Sequence, residues 1–102
     1  MKRDYTFYVY ILTNPSKTTL YIGFTNSLSR RLDEHKANKG NRKTFSGKYL
    51  TYQLIYFEVY KYVNNAIARE KQLKNWSRAK KETLINKTNP NWDILNDNFY
   101  IV

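Results

Sequence analysis

Arg31 and His35 are polar side chains at a spacing that suits phosphate chemistry. They are four residues apart, so on a helix they share one face, and they border the apolar stripe marked by Leu28 and Leu32. Taken singly, Arg31 is explained as a guanidinium whose stem covers the core edge, and His35 as an imidazole near the negative end of a helix dipole. As a pair one turn apart they predict a phosphate clamp, because arginine offers a planar fork of donors.

Glu70 is a carboxylate at a position that the hydrophobic pattern assigns to the core. It lies four residues after Ala66 and three before Leu73. An ion pair with Lys74 would explain it structurally, but such a surface pair contributes only ~0.3–0.5 kcal/mol. A carboxylate at the edge of a cleft can instead ligate Mg²⁺, which often takes one protein oxygen together with waters and phosphate oxygens. We therefore favour a metal site at Glu70.

Gly23 is a glycine in the middle of a strand-like run, LYIGFTN at 20–26. Glycine weakens a strand interior because it loses the most backbone entropy and has no side chain to pack. A bulge or a tight packing contact with a helix would explain it, and so would the close approach of a phosphate to the backbone. Tyr10 and Tyr21 lie at nearly equal distances from a turn at 14–19, which predicts cross-strand neighbours, although packing alone explains such a pair.

Three runs rich in aromatic and β-branched residues predict the strands that hold the tyrosines. They cover 7–14, 20–26 and about 52–60. The first is apolar throughout, as a central strand would be. A turn at 14–19 with Pro15 near its start joins the first two runs, so they are predicted to form a hairpin.

Three helices are predicted between and after these strands, from side chains that cap helix ends. The first runs to about Asn38, and Asn89-Pro90 ends the third. The predicted N-caps are Asn26 or Ser27 for the first helix, Asn64 or Asn65 for the second, and Ser77 for the third. The order is therefore ββαβαα, a small α+β domain with a three-stranded sheet covered by helices.

The charge balance favours a polyanionic partner. Eighteen Lys and Arg against eight Asp and Glu give a net charge of +10 in 102 residues, and each neutralised phosphate releases condensed counterions. Ten tyrosines add rings that can stack on bases. Lysines that merely solubilise the fold would give the same charge. The predicted nucleic-acid contacts are Gly23 and the basic residues of a loop and the third helix, namely Lys39, Arg42, Lys43, Lys48, Arg78, Lys80 and Lys81.

Several other classes of protein are disfavoured. Apolar runs such as 7–12 are too short to cross a bilayer, and no basic amphipathic helix has a broad apolar face. The N-terminal residues MKRDYTFYVY lack a small-residue cleavage site, so no signal peptide is predicted. The absence of cysteine excludes disulfides and thiolate metal sites. We predict a cytoplasmic protein with one domain over residues 1–102 and no membrane partner, whose oligomeric state the pattern leaves open.

Taken together, these residues resemble the GIY-YIG nuclease superfamily. The resemblance is carried by YVY at 8–10, YIG at 21–23, Arg31 followed by His35, and a helical Glu70. The stretch YVYILTN…LYIGFTNSLSRRLDEHK, with AIAREKQLKNWSR downstream, is most similar to small stand-alone bacterial members. The match covers about residues 5 to 95. It implies a three-stranded antiparallel sheet flanked by helices, in agreement with the order of elements above.

The resemblance also implies roles for the single residues. Tyr10 and Tyr21 correspond to the tyrosines of the two motifs, Arg31 to the phosphate-binding arginine, His35 to a frequent histidine and Glu70 to the metal ligand. Gly23 is the glycine of the second motif, and it leaves the sheet surface open beside the tyrosines.

Two positions depart from the family pattern. Tyr8 stands where the first motif has its first glycine, a change that leaves Tyr10 untouched. The asparagine that many members carry after the metal-binding helix has three candidate equivalents here, Asn89, Asp93 and Asn96, and we leave it unassigned.

The implied activity is hydrolysis of DNA phosphodiester bonds with one divalent cation, Mg²⁺ or another, on Glu70. Arg31 would neutralise the phosphate. A tyrosine, Tyr10 in the first place, would accept the proton of the attacking water, with Tyr21 and His35 positioning or relaying it. One alternative is a non-catalytic basic nucleic-acid-binding module with the same fold, and another is a basic domain that docks on a second protein. The nuclease comes first because the residues that it needs are all present.

Overall fold

The central strand of the sheet is the apolar run near the N-terminus. In the computed structural model, which describes residues 6–37 and 50–97, β1 (Phe7–Thr13) lies between β2 (Leu20–Thr25) and β3 (Gln53–Tyr60), and both pairings are antiparallel. Four consecutive β1 residues, 9–12, are at most 1% exposed. A strand covered on both faces needs no polar alternation, which is why this run is apolar throughout.

Helices cover both faces of the sheet. The structure describes α1 (Leu28–Ala37), α2 (Val63–Lys74) and α3 (Arg78–Thr88), so the predicted α+β fold and the order ββαβαα are confirmed. Ser77 caps α3 as predicted, with its hydroxyl accepting from the Lys80 N–H at 3.2 Å. No helix in the two described segments is long and apolar enough to cross a membrane.

The predicted cap of the second helix is wrong. Asn64 and Asn65 lie inside the first turn of α2, and the N-cap position is Tyr62, whose side chain makes no capping bond. Only two residues separate the end of β3 at Tyr60 from the start of α2 at Val63. The short connection decides where the helix begins, and the local capping preference of asparagine is overridden.

The sheet separates two buried clusters. The cluster beneath α1 consists of Tyr10, Leu12, Leu28, Leu32 and Leu54. The larger cluster lies beneath α2 and α3 and contains Val9, Ile11, Ile22, Ile55, Tyr56, Ala66, Leu73 and Ile85. The Tyr10 side chain therefore lies on the face of β1 that packs against α1. Its hydroxyl contacts the polar side chains of that helix.

Gly23 lies directly opposite Tyr10 in the β1–β2 ladder. A Cβ atom at Gly23 would lie 2.5 Å from the Tyr10 hydroxyl oxygen and 2.6 Å from the Cζ atom of its ring. The glycine therefore leaves room for the phenol ring to lie across the neighbouring strand. Of the explanations considered for Gly23, the structure shows a tight packing contact, made with a tyrosine rather than with a helix.

Gly23→Ala is expected to destabilise the protein by about 1–3 kcal/mol, since the Tyr10 ring is held by its neighbours and cannot easily move. Thermal unfolding of Gly23→Ala, Tyr10→Ala and the double variant measures this. In the Tyr10→Ala background, Gly23→Ala should cost almost no further stability. The stability losses of the two single variants should therefore be strongly non-additive in the double variant. Additive losses would show that the ring does not set the requirement for glycine.

Candidate active site

The Tyr10 hydroxyl is the centre of a hydrogen-bonded group. The Arg31 Nε atom donates to the Tyr10 oxygen at 3.3 Å, and that oxygen lies 3.1 Å from His35 Nε2. Tyr10 is 1% and His35 4% exposed. Because Arg31 donates to the phenol oxygen, the phenol O–H can donate to His35 Nε2 in the tautomer whose proton is on Nδ1. Strand β1 and two successive turns of α1 thus bring a phenol, a guanidinium and an imidazole into contact.

Tyr21 adds a third ring to this group. Its ring centroid is 6.3 Å from that of Tyr10 and 5.1 Å from that of His35. In the ladder Tyr21 faces Leu12, so the two tyrosines are diagonal neighbours, and the direct partner of Tyr10 is Gly23. The predicted cross-strand proximity holds, with an offset of two residues. Tyr21 is half-buried and therefore reaches closer to solvent than Tyr10.

Burial keeps Tyr10 and His35 neutral near pH 7. It raises the pKa of Tyr10 to about 12, although the hydrogen bond from Arg31 acts in the opposite direction. It also lowers the pKa of His35 to about 4, and the charge of Arg31 adds to that effect. The site therefore contains a neutral phenol and a neutral imidazole beside a guanidinium.

Arg31 connects this buried group to solvent. Its pKa is raised by hydrogen bonds with Tyr10, with Glu34 and with Tyr21, so it stays charged. Its side chain is 39% exposed, and its Nη1 atom donates to Glu34 Oε2 at 2.7 Å. An exposed ion pair of this kind exchanges at little cost. A phosphate can therefore replace Glu34 without disturbing the bond to Tyr10.

Glu70 reaches the same site from α2. Its side chain is 18% exposed, between Ala66 and Leu73, which are fully buried, and Lys74 Nζ lies 3.7 Å from Glu70 Oε2. The ion pair considered for Glu70 is therefore present. The charge of Glu70 also contributes weakly to the raised pKa of Tyr10, so α2 holds the carboxylate within electrostatic range of that phenol.

The donor set at Glu70 suits one kind of metal. Within residues 6–37 and 50–97, no three His, Cys, Asp or Glu side chains form a group that could enclose an ion. A lone carboxylate does not fit zinc, which prefers three or four protein ligands. It does fit Mg²⁺, which keeps several waters and binds through one or two carboxylates and phosphate oxygens.

The orientation of α2, and with it Glu70, is fixed by a second polar cluster. Arg69 Nε and Nη2 donate to the two Glu58 oxygens at 3.0 and 3.1 Å, and the Tyr56 and Tyr60 hydroxyls donate to the same carboxylate. Burial would raise the pKa of Glu58, but these hydrogen bonds outweigh it and lower the pKa. All of these groups are used within the fold, so the cluster anchors α2 to β3.

The predicted nucleic-acid contacts fall into three groups. Lys39, Arg42, Lys43 and Lys48 lie outside the described residues. Lys81 lines a cleft of about 280 Å³ at the edge of β2 together with Tyr21 and Lys74. Lys74 is not among the predicted nucleic-acid contacts. Its spacing of four from Glu70 on a helix indicates, from the sequence alone, that it lies beside the predicted metal ligand.

The other two predicted cations of α3 have partners within the protein. Arg78 donates to the carbonyls of Lys17 and Thr18 and ties α3 to the hairpin turn. Lys80 Nζ lies 4.4 Å from the centroid of the Trp76 ring. The structure therefore brings Lys81 beside Tyr21, whereas Arg78 and Lys80, at the start of α3, contact the hairpin turn and Trp76. Their contacts with nucleic acid, like that of Gly23, stay predictions.

The asparagine candidates are engaged in holding the backbone. Asn89 is 6% exposed, donates to the Ile55 carbonyl at 2.9 Å and accepts from the Asp93 N–H at 2.9 Å. Asn96 accepts from the Leu54 N–H at 2.8 Å and covers the edge of β3. Both side chains lock the segment after α3 onto the sheet.

Fold and site together define the class of the protein. Residues 6–89 match the family model described as the GIY-YIG catalytic domain, and the chain belongs to this family. The resemblance noted from the sequence is thereby confirmed.

The relatives are small proteins of similar length. The chain is 38% identical over 78 residues to a UPF0213 protein of Natronomonas pharaonis, covering 76% of this chain and 88% of the relative. It is 39% identical over 83 residues to a UPF0213 protein of Syntrophus aciditrophicus, covering 81% and 92%. The solution NMR structure of a UPF0213 protein from Bacillus halodurans is similar with a TM-score of 0.54 and 29% identity, covering 85% of this chain and 89% of that one.

Proposed function

We propose that this protein is an endonuclease that hydrolyses phosphodiester bonds of DNA with a divalent cation. The observation that carries the proposal is the convergence of Tyr10, Tyr21, Arg31 and His35 in one connected group, with the carboxylate of Glu70 nearby. Membership of the GIY-YIG family, a superfamily of nucleases, supports it. A purely structural role would not require a partly exposed arginine bonded to a buried tyrosine.

Arg31 is proposed to bind the phosphate at the cleaved bond. Its Nε atom is held by Tyr10, so the guanidinium plane has a defined orientation, and its outer nitrogen exchanges Glu34 for a phosphate oxygen. Donors that are already oriented when charge develops are worth far more than mobile ones. The geometry thus explains why an arginine, rather than a lysine, occupies this position.

A relay solves the problem that a tyrosine with a pKa of about 12 is a poor base. The attacking water gives its proton to the Tyr10 oxygen while the Tyr10 proton moves to His35 Nε2, so no free phenolate forms. A phosphate bound to Arg31 cancels part of the positive charge that lowers the pKa of His35. Substrate binding therefore makes His35 a better proton acceptor. Tyr21 positions the guanidinium and shields the relay from bulk solvent.

Glu70 is proposed to hold the cation. When bound, a divalent cation would stabilise negative charge on the phosphate and on the leaving oxygen. Lys74 and Lys81 line the edge of β2 beside Tyr21, and they would bind the DNA backbone next to the site. Such contacts carry no base information, and they agree with the net charge of +10.

The test is a cleavage assay on nicked, branched and linear DNA and on RNA, with Mg²⁺ or with EDTA. We expect cleavage of DNA with Mg²⁺, none with EDTA, and binding in both conditions that weakens steeply with salt. Binding without cleavage of any substrate would support the non-catalytic module instead. Selective cleavage of RNA would keep the chemistry and refute DNA as the substrate.

A further inference from the structure

A second cleft, of about 460 Å³, is lined by Arg31 and lies at the opposite end of β2 from the cleft that Lys81 lines. Its volume lies in the range of roughly 300–1,000 Å³ that is usual for clefts binding small molecules. Phe7, Phe24 and Val63 give it an apolar floor. Both phenylalanines are half-buried and pack against the larger core cluster, so the rings are rigidly supported.

The rim of this cleft is polar and adaptable. Arg30 Nη2 donates to Asn26 Oδ1 at 3.2 Å, and Arg30 Nε lies 3.6 Å from Glu34 Oε1. The Arg30 side chain is 64% exposed and that of Glu34 44%, so these bonds exchange readily. An amide, a guanidinium and a carboxylate together present the donors and acceptors that recognise the edge of a base.

The combination excludes some ligands and favours one. A phosphate is a poor occupant of the floor, because Phe7, Phe24 and Val63 are apolar and offer it no hydrogen-bond donor. A neutral, flat heteroaromatic group fits better, since it can stack on the phenylalanine rings and hydrogen-bond to the rim. Arg31 lines the cleft and also belongs to the hydrogen-bonded group around Tyr10. An occupant of the cleft therefore lies directly next to a phosphate bound to Arg31.

We propose that this cleft binds an unpaired nucleobase of the DNA, from the nucleotide adjacent to the cleaved phosphate. The inference rests on the proposed function insofar as it places that phosphate at Arg31. A base inside a duplex is stacked and paired, so only an unpaired or extruded base can enter the cleft. The favoured substrates are therefore DNA with a flap, a bulge or a single-stranded segment at the site of cleavage.

The experiment compares two DNA duplexes in EDTA, so that no cleavage occurs. One carries a single unpaired adenine, and the other carries an abasic residue at the same point. The parent protein should bind the first about tenfold more tightly, a difference typical of one stacked base. With 2-aminopurine as the unpaired base, its fluorescence should fall on binding. Equal affinities would overturn the proposal.

Phe24→Leu tests the floor of the cleft, because leucine keeps the apolar contact but cannot stack. The ratio of the affinities for the unpaired-adenine and abasic duplexes should fall to about one, while the affinity for the abasic duplex stays unchanged. Phe57→Leu is the matched control, since Phe57 is a half-buried strand phenylalanine outside the cleft. The Phe57→Leu variant should keep the full preference for the unpaired base. Loss of that preference in Phe57→Leu would also contradict the proposal.

The outcomes separate this site from the activity. A preference for the unpaired base without Mg²⁺-dependent cleavage would refute the nuclease activity and support the base-binding cleft. Mg²⁺-dependent cleavage without that preference would support the nuclease activity and refute the base-binding cleft. Adenosine monophosphate is added as a competitor. Displacement of the DNA by adenosine monophosphate at micromolar concentration would assign the cleft to free nucleotides and refute recognition of a base within DNA.

Discussion

Glu70→Gln is expected to lower the rate of Mg²⁺-dependent cleavage by at least about a thousandfold. Glutamine keeps the size of the side chain but removes the charge that holds the cation, and a metal contributes several kcal/mol to the stabilisation of such transition states. The melting temperature should stay unchanged or rise slightly, because the ion pair with Lys74 is weak and a half-buried carboxylate is costly without a metal. DNA binding in EDTA should persist or become tighter, since one negative charge near the phosphate is removed.

Glu82→Gln is the matched control for this change. Glu82 is a helical carboxylate with its own partner at a spacing of four, Arg78 at 3.3 Å, and it lies outside the proposed site. It should cleave at the parent rate. Full activity of Glu70→Gln would reduce Glu70 to the structural ion pair and would remove the metal site from the mechanism.

Arg31→Lys is expected to lower the turnover rate by about 10²–10³-fold, which is the usual cost of one lost transition-state donor. Lysine keeps the positive charge but cannot hold Tyr10 with one nitrogen and a phosphate with another. DNA affinity should therefore change little, whereas the turnover rate falls. The loss of stability should be small, about 1 kcal/mol, because the bond to Tyr10 is only partly buried.

Arg31→Ala completes the comparison and should be slower still. Lys87→Ala controls for the loss of one positive charge, since Lys87 is exposed on α3 and outside the site. It should weaken DNA binding slightly and leave the turnover rate unchanged. If Arg31→Lys cleaves as fast as the parent, charge alone suffices and the proposed clamp geometry is wrong.

Several features were predictable because they depend on short-range patterns. The apolar run of β1 and the glycine-containing run of β2 show strand character directly, and Ser77 has the chemistry of a helix cap. The spacing of Arg31 and His35 placed them on one helical face, and the structure joins both to Tyr10. The α2 cap was not predictable in this way, because the two-residue connection from β3 overrides local preference.

Other features required the tertiary structure. Position 23 requires glycine because the Tyr10 ring of the neighbouring strand lies across it. No pattern within β2 itself identifies that ring. Residues of the second cleft, such as Phe24 and Val63, have ordinary core or surface types, and they line one cleft only once α2 has packed beside the hairpin. Sequence spacing describes neighbours along one element, whereas a cleft is defined by the distance between elements.

The sequence by itself determined the elements of this protein, their order, its positive charge and the residue types that phosphate chemistry needs. These follow from side-chain periodicity and ionisation, which each residue carries with it. Only the tertiary structure decided that Tyr10 is buried between Arg31 and His35, and that Tyr21 is its diagonal rather than direct neighbour. Protonation in the site depends on burial and on charges brought together from β1, α1 and α2, and burial exists only once these elements have packed.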